Sequence, residues 1–152
     1  MQIITLEIWK KAVYDEVAQR TGYVGAKMMD ADAGAYERVR TIDEDESELE
    51  RFWEESCSDF GRAMAEYLRS DTAEAGGHRF ELELPDNFDL AIVPTMERDV
   101  ISFFVLNIVA KWFTISNKGE AGSYKEGAES VLTGIVRSTY RRKRPTRPTY
   151  ND

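Results

Sequence analysis

The chain has 152 residues, 42% hydrophobic and 32% charged, a composition that fits one globular domain and argues against a disordered segment. Its net charge of −8 disfavours a dedicated DNA-binding domain. A single cysteine, Cys57, excludes an internal disulfide and a multi-cysteine zinc site, and a single histidine, His78, excludes a His–His metal pair.

The opening MQIITLEIWKKAVYDEV places its charges after its apolar residues, unlike a signal peptide, so a cytosolic origin with a reduced cysteine is expected. Leu6, Trp9, Val13 and Val17 recur at steps of three and four, which predicts a first helix over about Thr5–Arg20. Gly22 and Gly25 then loosen the chain, with a short helix around Ala35–Val39. A second helix starts at Asp43, with Glu44, Asp45 and Glu46 complementing its dipole. Leu49, Phe52, Trp53, Cys57, Phe60, Met64, Tyr67 and Leu68 give it one wide apolar face, ending near Arg69. Phe80, Leu82 and Leu84 alternate with Glu81 and Glu83, the period of a half-exposed strand. Pro85-Asp86-Asn87 reads as a turn, and Phe88, Leu90 and Ile92 as a returning strand.

Pro94 suits the first turn of a third helix running to about Ser116. Its sixteen-residue apolar run, Val100–Ile115, falls short of the roughly 20 residues of a membrane helix and is broken by Asn107 and Lys111. It reads as a buried central helix. A fourth helix over about Glu120–Arg142 turns Tyr124, Ala128, Val131, Leu132, Ile135 and Val136 inward. Pro145 and Pro148 enforce an extended tail. The expected architecture is mainly α: an antiparallel four-helix bundle over residues 1–142, a β-hairpin inserted at about 79–93, and an extended basic C-terminal arm over 143–152.

Charge is segregated along this chain. Residues 1–76 carry 18 acidic and 9 basic groups, whereas residues 77–152 carry 10 and 11. Arg137, Arg141, Arg142, Lys143, Arg144 and Arg147 form a basic cluster with no acid before Asp152. A helix C-terminus favours cations, which accounts for Arg137, Arg141 and Arg142. It does not account for Arg144 and Arg147, which lie among the prolines. A basic tail of this kind is a protein-docking arm, a solvated tail or a nucleic-acid contact. Tyr140 and Tyr150 bracket it, and Tyr and Arg are favoured at interfaces. The acidic run Asp43–Glu50 reads as a solvated helix start, with the capacity to receive the basic tail of a neighbouring copy.

No catalytic, cofactor or metal residue is assigned. Asp30-Ala-Asp32-Ala-Gly34 begins like a calcium loop, but Ala35 stands where glycine is needed and Thr41 where the closing glutamate is needed. Cys57 reads as a small buried thiol, and His78 as a loop or strand-edge residue. Trp9, Trp53 and Trp112 all fall on expected core faces.

Three features carry a family resemblance: the LPDNFD turn (Leu84–Asp89), the aliphatic helix with Lys111-Trp112-Phe113, and the ending Tyr140-Arg-Arg-Lys-Arg-Pro145. On them the chain resembles small structural proteins of tailed phages and prophages of Bacteroidales bacteria. The expected architecture also resembles the head–tail connector, or adaptor, class of the phage neck. The resemblance implies a non-enzymatic virion protein, made in the host cytoplasm, that assembles as a homo-oligomeric ring beneath the portal. Portal and tail or neck proteins are the implied partners. DNA passes nearby without sequence-specific binding, and no membrane is involved. The resemblance also implies two contact surfaces, an arm and a hairpin, whose individual residues no family motif assigns and which are inferred from this chain itself. One is the arm, with Tyr140, Arg141, Arg142, Lys143, Arg144, Arg147 and Tyr150; the other is the hairpin, with Phe80, Leu82, Leu84 and Phe88. A cytosolic or prophage-encoded helical interaction or regulatory module is the alternative.

Overall fold

The computed structural model describes residues 1–148 and Tyr150. The first element is a strand, β1 (Gln2–Trp9), not a helix. Its sequence QIITLEIW is rich in β-branched residues, and its burial alternates strictly from Ile3 to Trp9. Ile4, Leu6 and Ile8 are buried, while Ile3, Thr5, Glu7 and Trp9 are exposed. The helical stripe expected from Leu6 and Trp9 therefore belongs to two different elements. Trp9 lies on the outer face of a sheet, 48% exposed, and not in the core.

Helix α1 (Lys10–Met28) follows directly and buries Val13, Val17, Thr21 and Gly25. The glycines expected to loosen this segment continue the helix. A Cβ on Gly25 would stand 3.0 Å from the Tyr36 Cα, so the missing side chain lets α2 (Ala35–Val39) pack close. Helix α3 (Glu46–Ala63) begins after a 3-10 turn at Asp43–Asp45, where the Asp45 carboxylate accepts from the Ile42 amide at 2.9 Å. It stops at Ala63, about 1.7 turns before the expected end near Arg69.

Tyr67 and Leu68 leave the helix because the chain from Leu68 is recruited into a sheet. Strand β2 (Leu68–Glu74) pairs antiparallel with β3 (Gly77–Leu84) through a two-residue turn whose Gly76 has φ +75°. Residues 88–92 form no returning strand: Pro85 ends β3, Phe88 is buried in a loop, and Leu90–Ile92 is a 3-10 turn capped by Asp89. The hairpin thus precedes the Phe80–Leu84 segment and does not follow it.

β1 closes a three-stranded antiparallel sheet of order β1-β3-β2, in unbroken register from Gln2 opposite Leu84 to Trp9 opposite Gly77. Its inner face, with Ile4, Leu6, Ile8, Phe80, Leu82 and Leu84, joins one core with the helices. The fold is therefore mixed α and β, with a three-stranded sheet against four long helices. This overturns the four-helix bundle with an inserted hairpin, because the first expected helix supplies the strand that turns a hairpin into a sheet.

Helix α4 (Val93–Ser116), with Pro94 in its first turn, buries Met96, Val100, Phe103, Phe104, Ile108 and Phe113 among its neighbours. By length and composition it is also apolar enough to cross a membrane, and half of its most apolar stretch is buried inside the fold. Asn117 links it to α5 (Lys118–Ser138), which packs back along it. Phe113 and Tyr124 meet edge to face near the turn, 5.1 Å between centroids.

Candidate functional site

The basic arm is pinned at its root and then leaves the fold. Thr139 closes α5, fully buried, with its hydroxyl donating to the Val136 carbonyl at 2.6 Å. Beyond it, Arg142 pairs with Phe88 as an isolated bridge. The Asp89 amide donates to the Arg141 carbonyl at 3.2 Å, and the Lys143 amide to the Asn87 carbonyl at 2.8 Å. The LPDNFD turn is thus the clamp on the arm. The turn is itself held by the Gln2 side chain, whose Nε2 donates to the carbonyls of Pro85 and Phe88 at 3.0 and 3.2 Å.

From Arg141 to Pro148 every residue is exposed. Arg141, Arg142, Lys143, Arg144 and Arg147 form no ion pair among the described residues. The Arg142 guanidinium instead donates to the carbonyls of Thr139 and Arg141. Arg137 is exposed on the last turn of α5. Tyr140 is 57% exposed beside Tyr67, whose proximity raises the Tyr140 phenol above its ordinary value. Tyr150 is exposed; Thr149, Asn151 and Asp152 of the expected arm lie outside the described residues.

The second expected contact surface does not exist as a surface. Phe80, Leu82, Leu84 and Phe88 are each fully buried. The first three form the inner face of β3 and the fourth plugs the loop beneath the arm root. Alternation correctly separated Phe80, Leu82 and Leu84 from Glu81 and Glu83, but in this sheet the apolar side faces helices.

A groove of about 490 Å³ between α1 and the start of α3 gathers Asp15, Asp43, Glu46 and Glu50 around Lys10 and Tyr14. Sequence reasoning missed it because Lys10 and Glu50 come from separate elements. Lys10 Nζ pairs with Glu50, Tyr14 donates to Glu50 Oε2 at 2.9 Å, and the Lys10 ammonium lies 5.9 Å from the Trp53 ring centroid. Burial works against the Glu50 charge, but the hydrogen bonds from Lys10 and Tyr14 together outweigh it and hold the carboxyl below its ordinary value. Burial, then the same bond to Glu50, pushes the Tyr14 phenol well up.

Glu50→Gln is accordingly expected to cost about 1 kcal/mol at neutral pH, a figure kept low because solvent reaches both partners of the ion pair. A carboxyl depressed in the folded state stabilises above its unfolded pKa and loses that contribution as pH falls through its folded pKa. The difference between wild type and variant should therefore vanish in acid. Urea unfolding of both proteins at neutral pH and below the carboxylate range measures it.

A smaller cavity of about 240 Å³ adjoins Lys10 and Glu50 and is lined by Trp53, Cys57, Asp71 and His78. His78 lies on β3, the middle strand, with its Nε2 bonded to Asp71 and its ring 4.6 Å from that of Phe80. Burial first, and then the Asp71 charge, push the Cys57 thiol up to about 12, so it stays protonated at neutral pH. No hydrogen bond joins Cys57 to His78 among the described residues, although both line this cavity. Among the described residues no three acidic, histidine or cysteine side chains cluster to hold a metal ion. No protein-family model matches the chain, and no curated protein or solved structure matches it.

Proposed function

We propose that this chain is a non-enzymatic structural subunit of a tailed-phage neck, of the head–tail connector class, that docks through its arm to the portal or to neighbouring subunits. The observation that carries the reading is the arm itself: its root is clamped at Arg141–Lys143 by the LPDNFD turn, every residue from Arg141 to Pro148 is exposed, and its five cations, three at the root and Arg144 and Arg147 beyond it, find no carboxylate among the described residues. A segment held at one end and exposed beyond it is available to a partner outside its own fold, and Arg and Tyr are enriched at such contacts. The first half of the chain, net acidic, suits a conduit that does not grip passing DNA.

The test is incorporation into particles. Full-length chain is expected in purified virions of the phage that carries it. Chain cut after Lys143, which keeps the clamped root, should fold normally, as circular dichroism would show, yet be lost from particles. Normal incorporation of the cut chain would remove the arm from the mechanism, and absence of the full-length chain from particles would remove the neck assignment. Duplex DNA binding separates the two chemistries of the arm. Each phosphate contact adds about −0.9 to the slope of log affinity against log salt, and a flat dependence is expected for an arm that docks on protein. The groove beside Glu50 favours the second reading, a cytosolic or prophage-encoded interaction module, in which a ligand seated there and not the arm makes the specific contact.

A further inference from the structure

The two edges of the sheet are not alike. β2 is guarded by charges, Arg69, Asp71 and Glu74, and by a register break between Leu68 and Ser70. β1 has eight residues, an unbroken register, no proline and one charge, Glu7. Natural edges are normally blunted by such devices, and an edge without them is a template for another strand.

The direction of its free groups can be read from the ladder. The Lys10 amide donates to the Gly76 carbonyl at 2.8 Å, continuing the β1–β3 register. Hydrogen-bonded pairs alternate in an antiparallel ladder. Ile8, Leu6, Ile4 and Gln2 therefore turn their main-chain groups to β3, and Ile3, Thr5 and Glu7 turn theirs to the open side. Consistently, the odd-numbered Glu83 of β3 donates the other way, to Tyr67, at 2.7 Å. No partner for the main-chain groups of Ile3, Thr5 or Glu7 is present among the described residues, and their side chains are exposed.

We propose that this edge is an interface between two copies of the chain, joined antiparallel through β1 into one six-stranded sheet. The sequence of the edge is self-complementary about Leu6. Its two exposed large apolar residues, Ile3 at 47% and Trp9 at 48%, lie three positions either side of Leu6. A two-fold axis at Leu6 places Ile3 of each copy opposite Trp9 of the other and Thr5 opposite Glu7. Aromatic residues opposite β-branched ones are among the favoured cross-strand pairs. The neighbouring registers are worse. A two-fold at Thr5 sets Ile3 against Glu7, and one at Glu7 sets the two Glu7 carboxylates face to face.

Such a contact is isologous and closes on itself, so a ring would have to be built through a different surface. No arm residue takes part, and a pair of copies carries two arms.

Sedimentation of the full chain tests the pairing. Wild type is expected at twice 17.4 kDa, falling to 17.4 kDa on dilution. Thr5→Pro removes an amide that β3 does not use, and proline is tolerated on such an edge. That variant should keep its circular dichroism and lose the dimer. Ile3→Lys and Trp9→Glu should each weaken association, and an equimolar mixture should regain it, because the altered residues then face each other. A wild type that stays monomeric at all concentrations overturns the proposal, as does a folded Thr5→Pro chain that still dimerises. So does a mixture no tighter than its components, which would mean that some other strand or the arm covers the edge.

Discussion

Phe60→Ala is expected to lower folding stability by about 3–5 kcal/mol. Phe60 is fully buried where α3, β3 and α4 meet. Its ring stands edge-on to Phe80 at 4.7 Å and lies 6.4 Å from both Phe103 and Phe104. Truncation loses the transfer energy of the ring, opens a cavity that three rigid neighbours cannot close, and removes aromatic contacts of about 0.5–1.5 kcal/mol each. Domains of this size are held by about 5–15 kcal/mol in total, so the loss is a large share of the whole. Urea unfolding followed by the fluorescence of the buried Trp53 and Trp112 should show a lower midpoint at unchanged slope. A loss under 1 kcal/mol would mean that the aromatic cluster is not where the stability of the fold resides.

The helices that read well from the sequence are those whose apolar period is unambiguous. α4 and α5 were placed within a few residues, and the core face of α3 was legible as far as Met64. The sheet was not, for two separable reasons. QIITLEIW followed by KKAVYDEV offers apolar residues at spacings that satisfy both periods across the junction. The density of β-branched residues in Ile3, Ile4, Thr5 and Ile8, and the alternation of Ile4, Leu6 and Ile8 with Thr5 and Glu7, argue for strand. β2, LRSDTAE, has almost no apolar signal, because it is an edge strand that gains its place through main-chain bonds to β3 and not through burial. Gly76-Gly77 then carried the hairpin signal, which the stronger-looking Pro85-Asp86-Asn87 concealed.

At the candidate site the basic cluster of the arm was legible, since charge runs need no fold to be seen. Its clamp was not: the bonds from Asp89 and Lys143 join segments about fifty residues apart through main-chain atoms that leave no mark on side-chain pattern. The Lys10–Glu50–Tyr14 group was hidden in the same way.

Phe88→Ala separates the two roles open to the LPDNFD turn. If Phe88 were a contact residue, its loss would leave stability near that of wild type and weaken a partner directly. Because it is fully buried, the expected outcome is a loss of about 3–5 kcal/mol. The variant should also act locally. The Phe88 amide donates to the Pro85 carbonyl at 2.9 Å, its own carbonyl receives Gln2, and Phe88 itself bridges Arg142. The ring therefore anchors the backbone on which the arm root hangs. Hydrogen exchange at the Asp89 and Lys143 amides should accelerate beyond the change in global stability, and trypsin should cut sooner after Arg141 and Arg142. Phe60→Ala supplies the control, since it costs a similar amount without touching the clamp. Equal protection at Lys143 in the two variants would make Phe88 a core residue only, and the arm would then be held by its backbone bonds alone.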